Sequence, residues 1–582
     1  MFKLLKNFSK KDILVIILSI LLIIFQVWLD LKLPDYMSEV TRLVQTEGST
    51  VKDVIEQGMY MMMCAFGSLI SAIIVGYLVA NTAATLSRNI REKLFDKVSS
   101  FNMEEIKNFK TSSLITRTTN DITNIQMFIA MGLQMLIKAP ITAIWAIAKI
   151  LNKSWEWSAI TGIAVFILIA MVIFLVITVI PKFKKVQKLI DNINGLTREN
   201  LTGIRVIRAF NAENYQREKF EKGNDDLTNI QLFTQRMMSI ISPVMYLVMN
   251  LLTVGIYFVG AYLIENALMA DKITLFSNMV VFSSYAMQVI MSFLMLAVIF
   301  IMYPRASVSA GRINEVLDTE VKIKDGTIDK ENDIKGVVEF KNVSFKYPDS
   351  DDYVLKDVSF KTNKGEIVAF IGSTGSGKST LINLIPRFYD VTDGKILIDD
   401  IDIRDYKFET LHSKLGYVPQ KAVLFNGSVN YNIGYGSEIT EENIKNAADI
   451  AQATHFVEKM KEKFESNISQ GGTNLSGGQK QRISIARAIA KNPEIYIFDD
   501  SFSALDYKTD SKLRQALKKY TKDSTVLIVA QRIGTIMNAD KIVVLDKGNV
   551  VAIGKHKELL KTCEVYKEIA YSQLGEEELN NG

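Results

Sequence analysis

The first half of the chain alternates between long apolar runs and polar loops. A helix that crosses a bilayer needs roughly 17–25 mostly apolar residues. Six runs with few charged residues are long enough, and they lie at about 13–33, 58–87, 122–150, 158–181, 237–264 and 273–303. Six such runs without charged faces would make an implausible soluble core. The pattern therefore predicts a membrane domain at residues 1–317 with six transmembrane helices.

The pattern changes after residue 317. A polar linker at 318–336 leads into residues 337–575, where short apolar segments alternate with helical ones. Continuous apolar strands between helices are typical of a largely parallel sheet. The predicted strands are Val337–Phe340, Val354–Phe360, Ile367–Ile371, Ile495–Phe498 and Val526–Val529, and predicted helices cover 441–463 and 477–491. The predicted fold class is thus an all-α domain of six transmembrane helices followed by an α/β domain, with a C-terminal tail at 576–582.

Basic residues are distributed unevenly around the predicted spans. Residues 1–12, 88–117 and 182–236 hold four, seven and eleven Lys and Arg, whereas the loops on the other side hold five. Because basic residues concentrate on the cytoplasmic side of membrane proteins, both termini and both long loops are predicted to be cytoplasmic. The modest net charge of +5 hides this asymmetry, and no nucleic-acid partner is needed to explain it.

Two lysines fall within or near the third predicted span. A charge there is costly, so such a residue usually faces a cavity or extends to the membrane interface. Lys149 lies near the outer end beside Trp155 and Trp157, which favours extension to the interface. Lys138 lies about three helical turns deeper, where it either lines an inward cavity or reaches an interface.

A glycine-rich loop follows the predicted strand Ile367–Ile371 and opens a helix. Its residues are Gly372, Ser373, Thr374, Gly375, Ser376, Gly377, Lys378, Ser379 and Thr380. Glycines let backbone N–H groups approach phosphates, and the helix N-terminus adds a favourable dipole. In such a loop Lys378 reaches the β- and γ-phosphates and Ser379 ligates Mg²⁺. Asp499, at the end of a later strand, is the expected carboxylate partner of the metal, so the domain is predicted to bind ATP and Mg²⁺.

A second motif narrows the choice among phosphate-loop proteins. It consists of Leu475, Ser476, Gly477, Gly478 and Gln479, at the start of the predicted helix 477–491. A hydroxyl, approachable backbone amides and the positive end of a helix dipole suit a γ-phosphate. With this signature motif, the phosphate loop and six spans, the chain resembles exporters of the ATP-binding cassette (ABC) superfamily over essentially its whole length.

The resemblance implies roles for further residues. In the family, two cassettes sandwich two ATP molecules, so each signature completes the site of the opposite subunit. Tyr347 resembles the aromatic residue that stacks on adenine, and Gln420 the glutamine that touches Mg²⁺. The D-loop, which links the two sites, is matched by Ser503, Ala504, Leu505 and Asp506. Motifs at Lys110–Asp121 and Arg205–Glu213 resemble the loop tips where coupling helices dock on the nucleotide-binding domains.

Two positions depart from the family pattern. Asp500 follows the metal-binding Asp499 where a catalytic Glu is expected, and Gln531 occupies the switch position of a His. A base that orients the attacking water must lie within hydrogen-bond reach, and a misplacement of about 1 Å can cost roughly 10²-fold. Asp500 is one methylene short, and Gln531 cannot titrate near neutral pH as His does. Two changes at one reaction centre, with every nucleotide-binding residue kept, indicate a specialised, degenerate site.

The sequence therefore predicts one half of a heterodimeric ATP-driven exporter. Its resemblance to bacterial multidrug-type heterodimers implies a lipophilic or amphiphilic substrate and a multi-pass protein of the bacterial cell membrane. The partner is expected to be a homologous half-transporter with the consensus Glu and His, and hydrolysis is expected mainly at the site that the partner's Walker motifs form with this chain's signature.

Other functions remain open at this point. A lipid flippase and a peptide exporter are alternatives within transport, although only about a dozen residues precede the first span, which leaves no room for an N-terminal peptidase domain. An ATP-gated channel or sensor belongs to a different class. Substrate transport against a gradient, as opposed to an ion current in reconstituted membranes, would separate the two classes. The six spans exclude a soluble ABC ATPase of the DNA-repair type.

Overall fold

The protein was analysed as a computed structural model, which describes residues 2–6, 8–46, 48–151, 155–329, 335–436 and 438–575. The chain divides into two compact units. The first comprises Met1–Ser99 and Lys110–Thr319, and the second comprises Ser100–Phe109 and the chain from Glu320 onward. The predicted tail at 576–582 and residues 330–334 of the predicted linker lie outside the described residues.

The longest helices of the described chain belong to the first unit. The α-helices, numbered along the whole chain, are α1 Phe2–Leu5, α2 Lys10–Gln45, α3 Val51–Ser99, α4 Met103–Asn108, α5 Thr111–Thr118, α6 Asn120–Met127, α7 Leu133–Leu151, α8 Trp155–Ala209, α9 Glu213–Ser239, α10 Ile241–Glu265, α11 Met269–Asp318, α12 Lys378–Leu384, α13 Phe408–Ser413, α14 Val429–Ile433, α15 Glu441–Ile450, α16 Thr454–Val457, α17 Gly477–Ala490, α18 Tyr507–Tyr520, α19 Ile533–Ile536, α20 His556–Thr562 and α21 Glu564–Tyr571. A π-helical turn at Phe128–Gly132 joins α6 to α7.

Among the described residues, six helical segments are long and apolar enough to cross a membrane. They are Lys10–Gln45, Val51–Ser99, Thr111–Leu151, Trp155–Ala209, Glu213–Glu265 and Asp271–Asp318. Helix α3 has 49 residues, and at about 1.5 Å per residue it is more than twice as long as the roughly 30 Å hydrocarbon core of a bilayer. The helices therefore extend well beyond the predicted spans. The last helix continues through Pro304 to Asp318, beyond the predicted span at 273–303.

Polar contacts join helices α2, α3, α7 and α11 inside the first unit. The Lys138 ammonium lies 3.0 Å from one carboxylate oxygen of Asp30, and the other carboxylate oxygen accepts a hydrogen bond from Ser68. The Lys149 ammonium, which is predicted to extend to the interface, lies 2.7 Å from the carboxylate of Asp35. Each basic side chain in this span thus has an acidic partner on α2, which offsets the cost of placing a charge in the membrane domain.

The second unit contains a largely parallel main sheet, as the alternation of apolar strands and helices predicted, together with an antiparallel sheet. Its strands are β1 Val338–Phe345, β2 Leu355–Lys361, β3 Ile367–Gly372, β4 Asp393–Ile398, β5 Ile401–Asp402, β6 Leu415–Val418, β7 Gly427–Ser428, β8 Asn467–Ile468, β9 Ile495–Asp499, β10 Thr525–Val529, β11 Lys541–Asp546 and β12 Asn549–Gly554. The main sheet has the order β12-β11-β3-β10-β9-β6, and an antiparallel sheet has the order β2-β1-β4-β5. The predicted fold class is confirmed.

In the main sheet, β11, β3, β10, β9 and β6 run parallel to one another, and β12 is antiparallel at the edge. Strands β3, β9 and β10 are almost entirely buried because helices such as α15 and α17 cover one face of the sheet, while the antiparallel sheet and helix α12 cover the other. The predicted helix at 441–463 is broken into α15 and α16. Gln452 interrupts it with a left-handed backbone conformation, at a φ of 56°.

Candidate functional site

The predicted site residues follow four neighbouring parallel strands. The phosphate loop follows β3, Gln531 follows β10, Asp499 and Asp500 end β9, and Gln420 follows β6. In open α/β sheets, ligands bind beyond the carboxyl ends of the strands, where the loops of adjacent strands converge. The strand order therefore brings together residues that are up to 159 positions apart in the chain.

The phosphate loop turns sharply from β3 into α12. Gly375 and Gly377 have φ angles of 85° and 96°, in a region that L-residues with a side chain rarely adopt. A Cβ on Gly377 would also lie 2.8 Å from a methyl group of Leu355. The Lys378 ammonium donates hydrogen bonds of 2.8 Å to the carbonyl oxygens of Gly372 and Ser373. Its side chain thus folds back over the loop, where backbone N–H groups at the start of α12 suit an anion.

Two of the three predicted metal ligands, Ser379 and Asp499, are in contact. The Ser379 hydroxyl donates a 2.9 Å hydrogen bond to the carboxylate of Asp499, which is 4% exposed. Burial raises the pKa of Asp499, although the bond from Ser379 opposes the shift. Burial also lowers the pKa of Lys378, and the carboxylates of Asp500 and Asp499 oppose that shift. A hydroxyl and a carboxylate are hard oxygen ligands, so this pair fits Mg²⁺.

Asp500 is held by two amide side chains. One of its carboxylate oxygens accepts a 2.8 Å hydrogen bond from Nε2 of Gln531 and a 3.4 Å bond from Nε2 of Gln420. Its backbone has a φ of 45°, and its carbonyl oxygen accepts a 2.9 Å bond from the hydroxyl of Ser503, the first D-loop residue. Burial raises the pKa of Asp500, and hydrogen bonds to its charged form oppose the shift. The two positions that depart from the family pattern therefore contact each other.

Tyr347, just after β1, contacts the start of the phosphate-loop helix α12. Its hydroxyl is 3.0 Å from the hydroxyl of Thr380, and its ring packs edge-to-face with Phe345 and Tyr389, at centroid distances of 5.0 and 5.3 Å. The contact with Thr380 connects the predicted adenine-binding residue directly to the phosphate loop. The residues that are predicted to bind the adenine base and those that are predicted to bind the phosphates thus form one cluster.

The signature motif begins a different element, helix α17. Ser476 is the N-cap of this helix and forms a capping box, in which its N–H donates to Oε1 of Gln479 at 2.8 Å. Open space surrounds the position of a Cβ on Gly477, whereas a Cβ on Gly478 would lie 3.2 Å from the carbonyl oxygen of Ala504. Leu475 packs against the core of this unit. The signature and the D-loop of the same chain are therefore close neighbours.

Two glutamines position the site and were not predicted from the sequence. Gln573, just after α21, donates to the carbonyl oxygen of Gln531 and accepts from the N–H of Ile533, at 2.8 and 2.9 Å. Gln481 of α17 is buried and donates to the carbonyl oxygen of Pro419, next to Gln420. Neither glutamine belongs to a motif, and for Gln573 no local pattern indicates the contact.

Asp506, the last D-loop residue, caps helix α18 through the N–H of Thr509.

Comparisons with known families agree with this geometry. Residues 16–314 match the ABC transporter transmembrane region, and residues 355–503 match the ABC transporter family. The chain therefore belongs to the ABC transporters, in the exporter class that fuses a membrane domain to an ATP-binding domain. It is a multi-pass membrane protein and an ATPase-type transporter.

Several curated relatives cover most of the chain. It is 37% identical to an uncharacterized ABC transporter ATP-binding protein of Mycobacterium tuberculosis, over 88% of this chain and 87% of the relative. It is 31% identical to a multidrug resistance ABC transporter ATP-binding and permease protein of Lactococcus lactis, over 87% and 84%. It is also 32% identical to an ATP-dependent lipid A-core flippase of Syntrophus aciditrophicus, over 84% and 81%.

A solved structure shares the fold over nearly the full length. A bacterial Atm1-family ABC exporter with ATP bound superposes with a TM-score of 0.81 at 24% sequence identity, covering 97% of this chain and 99% of the other. At this identity the similarity concerns the fold alone.

Proposed function

We propose that this chain is the degenerate-site half of a heterodimeric exporter. The observation that carries the proposal is the contact between Asp500 and Gln531, in which an amide N–H donates to the carboxylate oxygen at 2.8 Å. A general base needs a free oxygen within reach of the attacking water. Here Gln420 and Gln531 converge on the same oxygen of a side chain that is one methylene shorter than Glu. Gln531 cannot accept a proton near neutral pH as His can.

The same site keeps what nucleotide binding needs. Lys378, Ser379 and Asp499 would hold the phosphates and Mg²⁺ of bound ATP, and Gln420 lies beside them. The bound metal would supply charge stabilisation at the β- and γ-phosphates. We therefore expect this site to bind ATP without hydrolysing it efficiently, because the residues that bind ATP are present and the two that would activate water, at positions 500 and 531, are altered.

The intact signature motif of this chain would complete the ATP site of the partner. Ser476 places its hydroxyl and the first amides of α17 at the helix N-terminus, and the open space at Gly477 leaves room for a phosphate. The partner would contribute its own Walker motifs, with Glu and His at the two positions altered here. Closure of the two cassettes on ATP would drive transport, and hydrolysis at the competent site would reset the transporter.

We expect ATP to be retained at this chain's own site through many turnovers of the assembled complex. Labelled ATP trapped in the complex with its co-purified partner should stay bound while the other site hydrolyses unlabelled ATP. Lys378→Ala should abolish the retained fraction because Lys378 is the phosphate-binding cation, whereas Lys364→Ala, an exposed lysine outside the loop, should leave it unchanged. Equally fast exchange of label at both sites would refute the retained-ATP proposal.

The substrate is proposed to be lipophilic or amphiphilic. A cavity of about 390 Å³ in the first unit is lined by Ser283, Ser284, Met287, Gln288 and Met291, all on α11. Thioethers adapt to apolar ligands of varied shape, and hydroxyl and amide groups add hydrogen bonds. The hydroxyl, amide and thioether groups of this lining support a lipophilic or amphiphilic substrate, and relatives of both the multidrug and the flippase kind exist.

Coupling to the membrane domain is proposed to run through the exposed turn between α8 and α9. The Lys and Arg residues of its loop predict that this turn is cytoplasmic. Phe210 at its tip is 79% exposed, and Asn211 beside it adopts a left-handed conformation at a φ of 49°. An aromatic side chain held out at a loop tip is suited to insertion into a partner surface.

Phe210→Ala should therefore lower transport at least several-fold while leaving nucleotide binding unchanged. The reason is that truncation removes an apolar anchor, for which losses above about 1 kcal/mol are common at interfaces. Leu201→Ala on α8 is the control, because Leu201 is 71% exposed but lies away from the tip. Transport and trapped nucleotide should be measured on the same preparations. Equal loss of transport in both variants would contradict a docking role for the tip.

A further inference from the structure

The short helix α4, which belongs to the second unit, is attached near its N-terminal end to the segment that precedes β1. The Glu105 carboxylate, in a residue only 2% exposed, accepts a 3.0 Å hydrogen bond from the N–H of Lys322. Nδ2 of Asn102 donates to the carbonyl oxygen of Ile323 at 3.3 Å. These contacts attach the loop between α3 and α5 to the segment that precedes β1, at a place with no predicted nucleotide ligand.

The C-terminal end of α4 has a second attachment, at Tyr347. The Lys107 ammonium lies 2.7 Å from the carboxylate of Asp349 and 5.6 Å from the centroid of the Tyr347 ring. An ammonium within about 6 Å of an aromatic face is attracted by the ring quadrupole. Phe345 and Tyr389 pack around the same ring. A cation from the segment between α3 and α5 therefore occupies the predicted adenine platform, the ring of Tyr347.

We propose that Lys107 competes with the adenine base for Tyr347, so that binding of the base directly releases one attachment of helix α4. This inference rests on the proposed role of Tyr347 as the adenine platform. A base that stacks on the ring face over which the Lys107 ammonium lies requires the space that the ammonium occupies. Binding of adenine would release the attachment at Lys107, while the attachment at Glu105 holds the other end of the helix. Helix α4 would then pivot about its N-terminal end.

The contact is well suited to a reversible switch. The side chains of Lys107 and Asp349 are 58% and 63% exposed, so water compensates both charges when they separate. Such an exposed cation–π contact opposes adenine binding by an amount that corresponds to about 2- to 5-fold in affinity. ATP can therefore displace Lys107 easily, but the displacement is large enough to be measured.

The test compares Mg-ATP with Mg-tripolyphosphate, which carries the phosphates without the base. Affinities of the full-length chain for both ligands are measured by calorimetry at low temperature. Lys107→Ala should tighten ATP binding about 2- to 5-fold and leave tripolyphosphate binding unchanged. Lys107→Arg, which keeps the cation, and Lys110→Ala, which removes a nearby exposed cation, should both bind ATP like the unaltered chain. Asp349→Asn frees Lys107 without truncating it and should tighten ATP binding by a smaller factor.

The outcomes separate this inference from the proposed function. Weaker ATP binding by Lys107→Ala, or an equal change for both ligands, would overturn the competition. If Tyr347→Ala weakens ATP but not tripolyphosphate while neither Lys107→Ala nor Asp349→Asn has a base-selective effect, only the competition is wrong. If Tyr347→Ala changes neither affinity, the adenine-platform role fails, and the competition fails with it.

Discussion

Ser476→Arg in the assembled complex should lower ATPase activity and transport by about 10²-fold or more. Ser476 caps α17, and its side chain and the amides behind it are proposed to face the γ-phosphate at the partner's competent site. Removing one well-placed donor to a developing charge costs about 10²–10³ in rate, and the arginine would also fill the space beside Gly477. Initial rates should be compared at saturating Mg-ATP, with trapped nucleotide measured to confirm that this chain's own site still binds.

Asp500→Asn in the same complex is the matched comparison. Loss of a working general base costs roughly 10²–10⁴-fold, but we expect less than about tenfold here. The substitution is nearly isosteric, and the carboxylate that it replaces already accepts amide hydrogen bonds from Gln531 and Gln420. If Asp500→Asn abolished turnover while Ser476→Arg left it intact, the assignment of the two sites would be reversed.

The membrane domain and the strand ends of the site were predictable because their signals are local. An apolar run of sufficient length specifies a spanning helix whatever it packs against. The phosphate loop specifies its own turn, because Gly375 and Gly377 supply the left-handed conformations that it needs. The parallel strands then bring Asp499 and Gln531 to the same edge without further information from the sequence.

Residues Ser100–Phe109, which lie just before the predicted loop-tip motif, group with the nucleotide-binding unit. The resemblance pointed to Lys110–Asp121, which forms α5 and the start of α6 in the first unit, whereas Ser100–Phe109 belongs to the second. Helix α4 is short, and its attachment depends on a contact between Glu105 and Lys322, which are 217 positions apart. No periodicity within the segment carries that information.

Long-range contacts also explain other differences. The predicted helix 441–463 has no proline or glycine to stop it, yet it breaks at Gln452, where the carbonyl oxygen accepts a 2.8 Å hydrogen bond from Arg482 of the signature helix. Tertiary contacts override helix propensity at such a position. Likewise, the acidic partner of Lys149 lies more than a hundred positions away, at Asp35. Single-sequence patterns specify a residue's neighbours along one element, but not its partners across elements.

Asp500→Glu combined with Gln531→His should raise the ATPase rate of this chain purified alone by about 10- to 100-fold. Unaltered, the isolated chain is expected to be nearly inactive, because a homodimer would hold two copies of the degenerate site. Glutamate restores the missing methylene, and histidine restores a side chain that can exchange a proton near neutral pH. Gln573 binds the backbone of residue 531 and Ile533, so the new imidazole should be held where the amide is now.

The single variants sharpen this prediction. Gln531→His alone should raise the ATPase rate little, because the Asp500 side chain is still too short to reach the attacking water. Asp500→Glu alone should give part of the increase in rate. Adding Lys378→Ala to the double variant should abolish the gained activity, which would show that it arises at this chain's own phosphate loop. A fast, cooperative ATPase from the unaltered isolated chain would contradict the degenerate site. In that case Asp500 would itself be a competent base, and no partner would be needed to explain turnover.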